Sequence, residues 1–477
     1  MAMRAVLLVF LTLFKNASTL RLSMMSGQGA VTKLTLQPIK KISGEVTLPG
    51  SKSLSNRVLL LSALSEGTTV VENLLDSADI RYMLGALKQL NIDVKENFET
   101  KTCVVVGNGG AINNKKAVAE TLNLGNAGTA MRPLAGVLCA GQGEFVLDGT
   151  PRMRERPIVD LVDGLKQLGV DVKCSATGCP PVQISAKGLH GGTAEISGQI
   201  SSQYLSALLM MGPLSDKDVV LKIKDELMSA PYVHMTMNLM RKFGCVVTSE
   251  ADRRFVVKPG TYKSPGKMFI EGDASSASYF LAGAAITGGT VTVHGCGADS
   301  VQGDARFAKV LEKMGCDVKF TDTSITVSRP LSRPLVGVDE DCGDIPDVAM
   351  TLAVVGLFAQ GKTAIRNVYN WRVKETERMA AMVVSLRLSR CVYHISHGPC
   401  LSSWSFWSSC SLTPPRMHPL TLSLPLSLSP SLSVSVSLPT TLAERADQAG
   451  SHRRRGPRLP HRPRTQARRE PQAQRGN

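Results

Sequence analysis

One punctuation mark recurs along this chain and narrows its possible folds more than any other feature: an amphipathic segment closed by glycine and followed at once by a β-prone pair. It stands at Leu168-Gly-Val-Asp171, Phe243-Gly-Cys-Val246 and Met314-Gly-Cys-Asp317. Glycine accepts the left-handed conformation that ends a helix, and the apolar residue behind it opens a strand. Its recurrence implies an internal repeat of helix–Gly–strand units. The segments between agree. Cys103–Val106, Phe145–Leu147, Val219–Ile223, Phe255–Val257 and Val291–Val293 are short and rich in Val, Ile and Phe, and read as strands. Asp79–Leu90, Pro157–Leu168, Met235–Phe243, Ser275–Ile286 and Asp304–Met314 carry helical periodicity. An α/β fold from Val31 to Leu386 follows.

After Leu386 this grammar stops. Leu420–Thr441 is almost pure Ser, Leu and Pro, and Ser451–Asn477 is rich in Arg, Pro and Gln, so residues 387–477 read as a low-complexity, disordered tail. The tail also explains the charge. It holds thirteen arginines against three acidic residues, which is +10 of the chain's net +16. The body keeps a modest positive surplus, better suited to a small anionic ligand than to nucleic acid. Cys391, His394, His397 and Cys400 imitate a metal box, but on a segment with no supporting elements. The eleven cysteines are scattered, which fits buried thiols in a reducing compartment rather than a disulfide framework. Residues 1–30 read as a targeting leader: Arg4 precedes an apolar run, Ala5–Phe14, that is too short to span a bilayer.

Chemistry concentrates in six clusters. Leu48-Pro-Gly-Ser-Lys-Ser-Leu-Ser-Asn-Arg57 packs hydroxyls, Lys52 and Arg57 ahead of the apolar helix Val58–Leu64. Such a loop at a helix N-terminus suits a phosphorylated ligand, and a polar cap is the bland alternative. Leu124-Gly-Asn-Ala-Gly-Thr-Ala-Met-Arg-Pro133 is a glycine-rich turn opening a helix. Pro151-Arg-Met-Arg-Glu-Arg-Pro157 sets three arginines between prolines. Ser201-Ser-Gln-Tyr204 is an N-cap pattern that also fits a phosphate. Asp344-Ile-Pro-Asp347 precedes an apolar run, so its carboxylate is a cap or a general base. In Asn370-Trp-Arg-Val-Lys-Glu-Thr-Glu-Arg378, Lys374 and Arg378 fall four apart on one expected helical face beside Glu375, an arrangement that tunes acid and base.

In this order and wording, together with Glu271-Gly-Asp-Ala-Ser-Ser-Ala-Ser278, these clusters resemble the 5-enolpyruvylshikimate-3-phosphate synthase family from about Leu34 to Leu386. The resemblance implies a two-domain enolpyruvyl transferase fold of repeated βαβαββ units. One domain is expected over 49–269, and the other over 31–48 with 270–386. The implied reaction moves the enolpyruvyl group of phosphoenolpyruvate to the 5-hydroxyl of shikimate 3-phosphate and releases phosphate, with neither metal nor organic cofactor. Ser53, Arg57, Ser201, Ser202, Ser229, Tyr232, Asn370 and Lys374 would hold shikimate 3-phosphate. Lys52, Arg156 and Arg378 would hold phosphoenolpyruvate, with Asn126, Gly128 and Gln203 close by. Asp347 would accept the hydroxyl proton and Glu375 would serve proton transfer at the enol carbon. Gly128 and Pro133 match positions that govern glyphosate sensitivity in the family. A plastid location is implied, with the cytoplasm as alternative, and a monomer with no nucleic-acid partner and no membrane attachment in the mature form.

The sequence also departs from the family. Motifs expected past Leu386, an Asp-His-Arg-Met and a Lys-Thr-Phe-Pro, have no counterpart here, so the last βαβαββ unit is expected to be missing and turnover impaired. Arg445–His461 is compatible with a family-like segment read one nucleotide out of frame, which suggests a retained intron from about Leu388. The alternatives are an inactive product that binds shikimate 3-phosphate only, and a UDP-sugar enolpyruvyl transferase.

Overall fold

The computed structural model describes the backbone of residues 20–25, 31–36, 39–116, 118–388 and 403–407, and side chains within 39–385. The apolar leader run, the Cys391–Cys400 box, the Ser/Leu/Pro tract and the Arg-rich segment lie outside the described residues. Strands β1 (Leu20–Met25) and β2 (Val31–Leu36) form a two-stranded sheet of their own.

The chain body repeats one small motif. A strand runs parallel to its neighbour through a helix, and a second helix leads to an antiparallel hairpin beside them. One sheet takes β7 (Glu120–Asn123), β8 (Gln142–Asp148), β9 (Asp171–Lys173) and β10 (Val182–Lys187) in the order β7-β8-β10-β9. Only β7 and β8 run parallel. Helices α3 (Gly128–Cys139) and α4 (Val159–Gln167) make its connections. The next repeat has β11 (Gly192–Ile196), α5 (Ser202–Met211), β12 (Val219–Ile223), α6 (Ala230–Lys242), β13 (Val247–Glu250) and β14 (Arg254–Val257), with the same order and polarity. The glycine stops work as the sequence indicates: Gly169, Gly244 and Gly315 sit at φ of 82°, 85° and 100°. Asn91, at φ 63°, does the same at the end of α2 (Ala78–Gln89), a job Asn tolerates better than other non-glycine residues.

Two further sheets exchange a strand. β3 (Gly44–Thr47) precedes helix α1 (Lys52–Leu64) in the chain, yet it pairs in parallel with β16 (Thr290–His294), beside β18 (Ser324–Ser328) and β17 (Asp317–Phe320). β15 (Lys267–Phe269) precedes helix α7 (Ala274–Thr287), yet it pairs with β4 (Thr68–Glu72), beside β6 (Thr102–Val106) and β5 (Asp93–Asn97). The chain therefore crosses twice between two lobes, and the crossings run side by side. Gly50 bridges Gly272, the Ser51 N–H donates to Glu271 O at 2.8 Å, and the Asp273 N–H donates to Pro49 O at 2.8 Å. A Cβ on Gly50 would fall 1.9 Å from Asn73 O, and one on Gly272 2.8 Å from Leu48 Cβ. The crossing itself excludes side chains here.

Each lobe has its own apolar core. Leu54, Leu59, Leu138, Leu208 and Phe255 belong to the first, and Leu281, Val293, Leu311, Leu352 and Trp371 to the second. All of α3 is buried, against α5. The second lobe also pairs β19 (Leu335–Val336) with β21 (Ala359–Gln360), and carries a three-stranded sheet. In that sheet β20 (Asp339–Asp341) and β22 (Lys362–Arg366) flank helix α9 (Ala349–Gly356) and run parallel. After helix α10 (Arg378–Leu388), β23 (Ser403–Trp407) pairs antiparallel with β22. Its Ser-Trp-Ser-Phe-Trp sequence alternates as an edge strand should.

Helix boundaries also differ from the sequence expectation. α6 starts at Ala230, five residues before Met235, because Pro231 occupies its first turn without needing an N–H partner. The segment expected as one helix from Asp304 opens as a 3-10 turn, Gly303–Arg306, before helix α8 (Phe307–Lys313).

Candidate active site

The crossings deliver the site. Lys52 and Ser53 stand in the first turn of α1, because the helix starts at Lys52 and not at Val58 as expected; Ser51 is its N-cap. Gly50, just before them, is held at the crossing against Asn73 O. Arg57 follows one turn later, 3% exposed. Its guanidinium donates to Thr236 Oγ1 at 2.8 Å, Ser53 O at 3.0 Å and Ser206 Oγ at 3.5 Å, and no carboxylate among the described residues lies within ion-pair reach. Burial pulls its pKa down to about 10, so it remains a cation. Lys52 pairs with Asp79 at 3.4 Å. Burial opposes its charge, but Glu375, Asp79 and Asp347 outweigh that and hold its pKa above the ordinary value.

A second cationic pair lies under the glycine turn. Gly128 opens α3, and a Cβ there would stand 2.3 Å from Arg132 Nη1 and 2.6 Å from Arg156 Nη2. Arg132 donates to Pro157 O at 3.3 Å, and its Nε and Nη1 are buried without partners. Arg156 donates to Asn126 O at 2.9 Å and Asn126 Oδ1 at 3.1 Å, and reaches Glu375 across the cleft at 3.5 Å. Burial, with Arg132 beside it, lowers its pKa to about 9. The three arginines of the Pro151–Pro157 cluster thus divide. Arg156 faces the cleft, Arg154 pairs with Asp148 on the surface, and Arg152 donates to Lys374 O at 3.1 Å. Asn126 Nδ2 also crosses the cleft, to Glu375 O at 3.1 Å.

Ser201 caps α5, its hydroxyl accepting the Gln203 N–H at 3.3 Å, with Ser202 buried beside it. Ser229 caps α6 in the left-handed conformation, φ 59°, a strained choice for serine. Its N–H and hydroxyl both donate to Gly343 O of the second lobe, and Asn370 Nδ2 donates to Ser229 Oγ at 3.4 Å.

The second lobe answers with carboxylates and their own cations. Arg378 Nη1 contacts Asp347 Oδ1 at 2.6 Å, and Nη2 contacts Glu375 Oε2 at 2.9 Å. Lys374 Nζ lies 3.6 Å from Asp347 Oδ1. The expectation of one helical face carrying Lys374 and Arg378 fails. Tyr369–Val373 is a 3-10 turn, Lys374 is extended, and α10 begins only at Arg378. Both side chains nevertheless converge on Asp347. Burial works against ionising Asp347 and Glu375, but the surrounding cations win and hold both well below the usual carboxylate range. Lys374 is itself pulled below its ordinary value, because burial and the Arg378 charge exceed the pull of Asp347. The guanidinium, which does not deprotonate, is the firmer anchor.

Hydrogen bonds and ion pairs join Asn126, Arg156, Glu375, Arg378, Asp347, Lys374 and Tyr232, and separately Ser229 and Asn370, across the two lobes; Gln203 is half-buried and its backbone N–H meets Ser201. Sequence reasoning missed Asp79, Arg132 and Asp304. Only Arg132 carried a visible signal, lying one turn into the glycine-opened helix. A groove of about 560 Å³ between Pro231, His234, Arg306 and Phe320 contains none of the predicted residues.

A two-lobed α/β body that buries facing cations and carboxylates at its double crossing has the architecture of the enolpyruvyl transferases. Solved structures share the fold. EPSP synthase from Acinetobacter baumannii aligns with a TM-score of 0.62 at 24% identity, over 82% of this chain and 85% of that one. The enolpyruvyl transferase NikO from Streptomyces tendae aligns with a TM-score of 0.54 at 19% identity, over 73% of this chain and 78% of that one. Sequence relatives are much nearer. The 3-phosphoshikimate 1-carboxyvinyltransferase, chloroplastic, of Petunia hybrida is 59% identical over 369 residues, 75% of this chain and 72% of that protein. The enzyme of that name from Vibrio atlanticus is 54% identical over 356 residues, 74% and 82% of the two chains. Residues 36–393 match the family described as EPSP synthase (3-phosphoshikimate 1-carboxyvinyltransferase), and the chain belongs to that family.

Proposed function

We propose that the cleft performs the family's reaction, transferring the enolpyruvyl group of phosphoenolpyruvate to the 5-hydroxyl of shikimate 3-phosphate and releasing phosphate. The observation that carries the residue assignment is the mismatch of charge between the walls. Arg57 and Arg132 are buried without carboxylates, while Asp347 and Glu375 already own cations. Burying an unpaired cation is costly unless a ligand anion completes it. Arg57 with Ser53, Ser201, Ser202, Ser229, Tyr232, Asn370 and Lys374 forms the surround for shikimate 3-phosphate. Lys52, Arg156 and Arg378 surround phosphoenolpyruvate, next to Asn126, Gly128 and Gln203.

In the addition step the 5-hydroxyl oxygen bonds to C2 of phosphoenolpyruvate. Its proton goes to Asp347, a carboxylate at neutral pH, and a proton is added at C3. In the elimination step a proton leaves the new methyl group, the C2–O bond to phosphate breaks, and phosphate departs. Glu375 rests ionised, fit to take that methyl proton. Arg156, Lys52 and Arg378 are the charges that keep it so. When phosphoenolpyruvate occupies those cations, their hold on Glu375 weakens, its pKa rises, and it takes up from water the proton it gives to C3; it takes a proton back in the elimination, while Asp347 returns the hydroxyl proton to the departing phosphate. One group then serves both steps.

Titration of each substrate followed by phosphate release tests this. Lys52→Ala is expected to abolish phosphoenolpyruvate binding while shikimate 3-phosphate still binds. Retained phosphoenolpyruvate affinity in calorimetry would sink the Lys52 assignment. Binding of shikimate 3-phosphate without phosphate release would leave a binding protein that has lost the transfer step. The plant relatives are named chloroplastic, and with the apolar N-terminal run they support a plastid location, which a fluorescent fusion checks. A monomer is the expected state, and light scattering tests it. Among the described residues no helix is long and apolar enough to cross a membrane.

A further inference from the structure

Tyr232, on α6 of the first lobe, holds its hydroxyl 3.0 Å from Asp347 Oδ2 and 3.2 Å from Asp304 Oδ2, both on the second lobe. A phenol has one proton to donate. If both acids were ionised, one of these contacts would set oxygen against anionic oxygen with no hydrogen between them, away from bulk water. A shared, three-centre bond would leave both contacts weak, whereas a proton on one acid gives each contact its own hydrogen. Asp347 touches the Arg378 guanidinium at 2.6 Å and the Lys374 ammonium at 3.6 Å, so its negative charge is compensated. Asp304 touches no cation among the described residues. Its Oδ2 meets the hydroxyls of Ser275, at 2.5 Å, and Tyr232, and its Oδ1 is buried with no partner. The residue is 3% exposed. Facing it are Tyr232 from α6, Asp347 from the segment ahead of α9, and Asp273 and Ser275 from the start of α7. Arg306, on the same 3-10 turn, pairs with Asp344 on the surface instead.

We propose that Asp304 stands as a neutral carboxylic acid and acts as a positioning residue: its O–H donates to the Tyr232 hydroxyl, which donates in turn to Asp347. The relay fixes one oxygen of the carboxylate assigned to receive the 5-hydroxyl proton, and it joins the lobes across the cleft. This rests on the placement of Tyr232 and Asp347 in the shikimate 3-phosphate site. Burial and the Asp347 charge raise the Asp304 carboxyl to about 7, in agreement. Deprotonation puts a second negative charge against Tyr232, breaks the relay, and faces an anionic ligand with repulsion.

Two measurements decide it. Infrared difference spectra of the unliganded protein, wild type minus Asp304→Asn, are expected to show a protonated-carboxyl carbonyl band at about pH 6 that fades by about pH 8. No such band at about pH 6 would overturn the neutral acid, whatever the protein binds. The second is fluorescence titration with shikimate 3-phosphate across the same range. Wild type should weaken as pH rises, and Asp304→Asn, whose amide donates the same hydrogen bond, should hold its affinity flat. Asp304→Ala should lose roughly tenfold or more. Equal affinity in Asp304→Ala and wild type at about pH 6, or a wild-type profile no steeper than that of Asp304→Asn, would overturn the positioning role. If no protein binds shikimate 3-phosphate, the substrate assignment and with it the positioning role fail, and the infrared arm still decides the proton.

Discussion

Arg57 on the first lobe and Arg378 on the second are both buried, and they are satisfied in opposite ways. Arg57 is surrounded by hydroxyls and a carbonyl and has no counter-charge among the described residues. Arg378 makes two ion pairs, at 2.6 and 2.9 Å, with Asp347 and Glu375. The first lobe's wall is thus a receptor whose charge is left for a ligand to complete. The second lobe's wall is nearly neutral by itself and holds its carboxylates ready for proton traffic. A doubly anionic ligand should therefore be gripped mainly from the first lobe, while the second lobe's contribution is chemical.

The comparison breaks most sharply at Arg378. Arg378→Ala takes the nearest cation from two carboxylates, leaving Asp347 with Lys374 at 3.6 Å and Glu375 with Arg156 at 3.5 Å, and losing one partner of a buried pair costs about 3–5 kcal/mol. Asp347 and Glu375 keep 26% and 34% of their side-chain surface in solvent, so the low end, about 3 kcal/mol, is expected in urea unfolding. The pH dependence has a definite sign. Both carboxyls are depressed in the folded protein, so their contribution is full above the ordinary carboxyl range near about 4 and is lost as pH falls below it. Arg378→Ala should flatten that acid limb. A wild-type limb that survives the substitution would show that Arg378 is not what neutralises this wall.

Arg57→Met should do the reverse. Removing an uncompensated buried cation and keeping its volume is expected to leave the unliganded protein as stable as before, or more stable by about 1 kcal/mol. Affinity for shikimate 3-phosphate should fall about a hundredfold, since a charge-assisted contact is lost from a desolvated site. A large loss of unliganded stability with affinity intact would make Arg57 a structural residue and erase the difference between the walls.

The same contrast separates what was legible in the sequence from what was not. Local rules travelled well. The strand Val219–Ile223 has the bounds its apolar run suggests, and the three glycine stops took the left-handed conformation. Asn91 stops its helix in the same conformation without the glycine that marks the other stops. The need for glycine at position 50 is not local: the nearest obstacle to a side chain there is Asn73 O, a contact created by the double crossing, which no local pattern encodes. The Lys374–Arg378 spacing suggested a helical face, but a bend after Val373 intervenes, and the two side chains meet only because Asp347 draws them in. Asp304 was hidden for the same reason. Its significance lies in Tyr232, 72 positions earlier in the chain and on the other lobe. Helices and caps are written in neighbouring residues, whereas charge balance in a cleft is written in pairs that only the fold brings together.

Gly128 gives the smallest and most selective test. Its backbone is not in the left-handed region, so alanine is conformationally allowed, and helix propensity favours alanine by about 1 kcal/mol. The obstacle is the methyl group, 2.3 Å from Arg132 Nη1 and 2.6 Å from Arg156 Nη2. Both are tips of long side chains that can move, so Gly128→Ala should change unfolding stability by less than about 1 kcal/mol, the propensity gain offsetting the crowding. The displaced guanidinium of Arg156 is the one assigned to phosphoenolpyruvate, so affinity for that ligand should fall roughly tenfold. Arg57 and the α5 cap are untouched, so shikimate 3-phosphate should bind as before. An equal loss for both ligands would mean that the two anion sites are not separately built, and that the first lobe's wall acts as one undivided field.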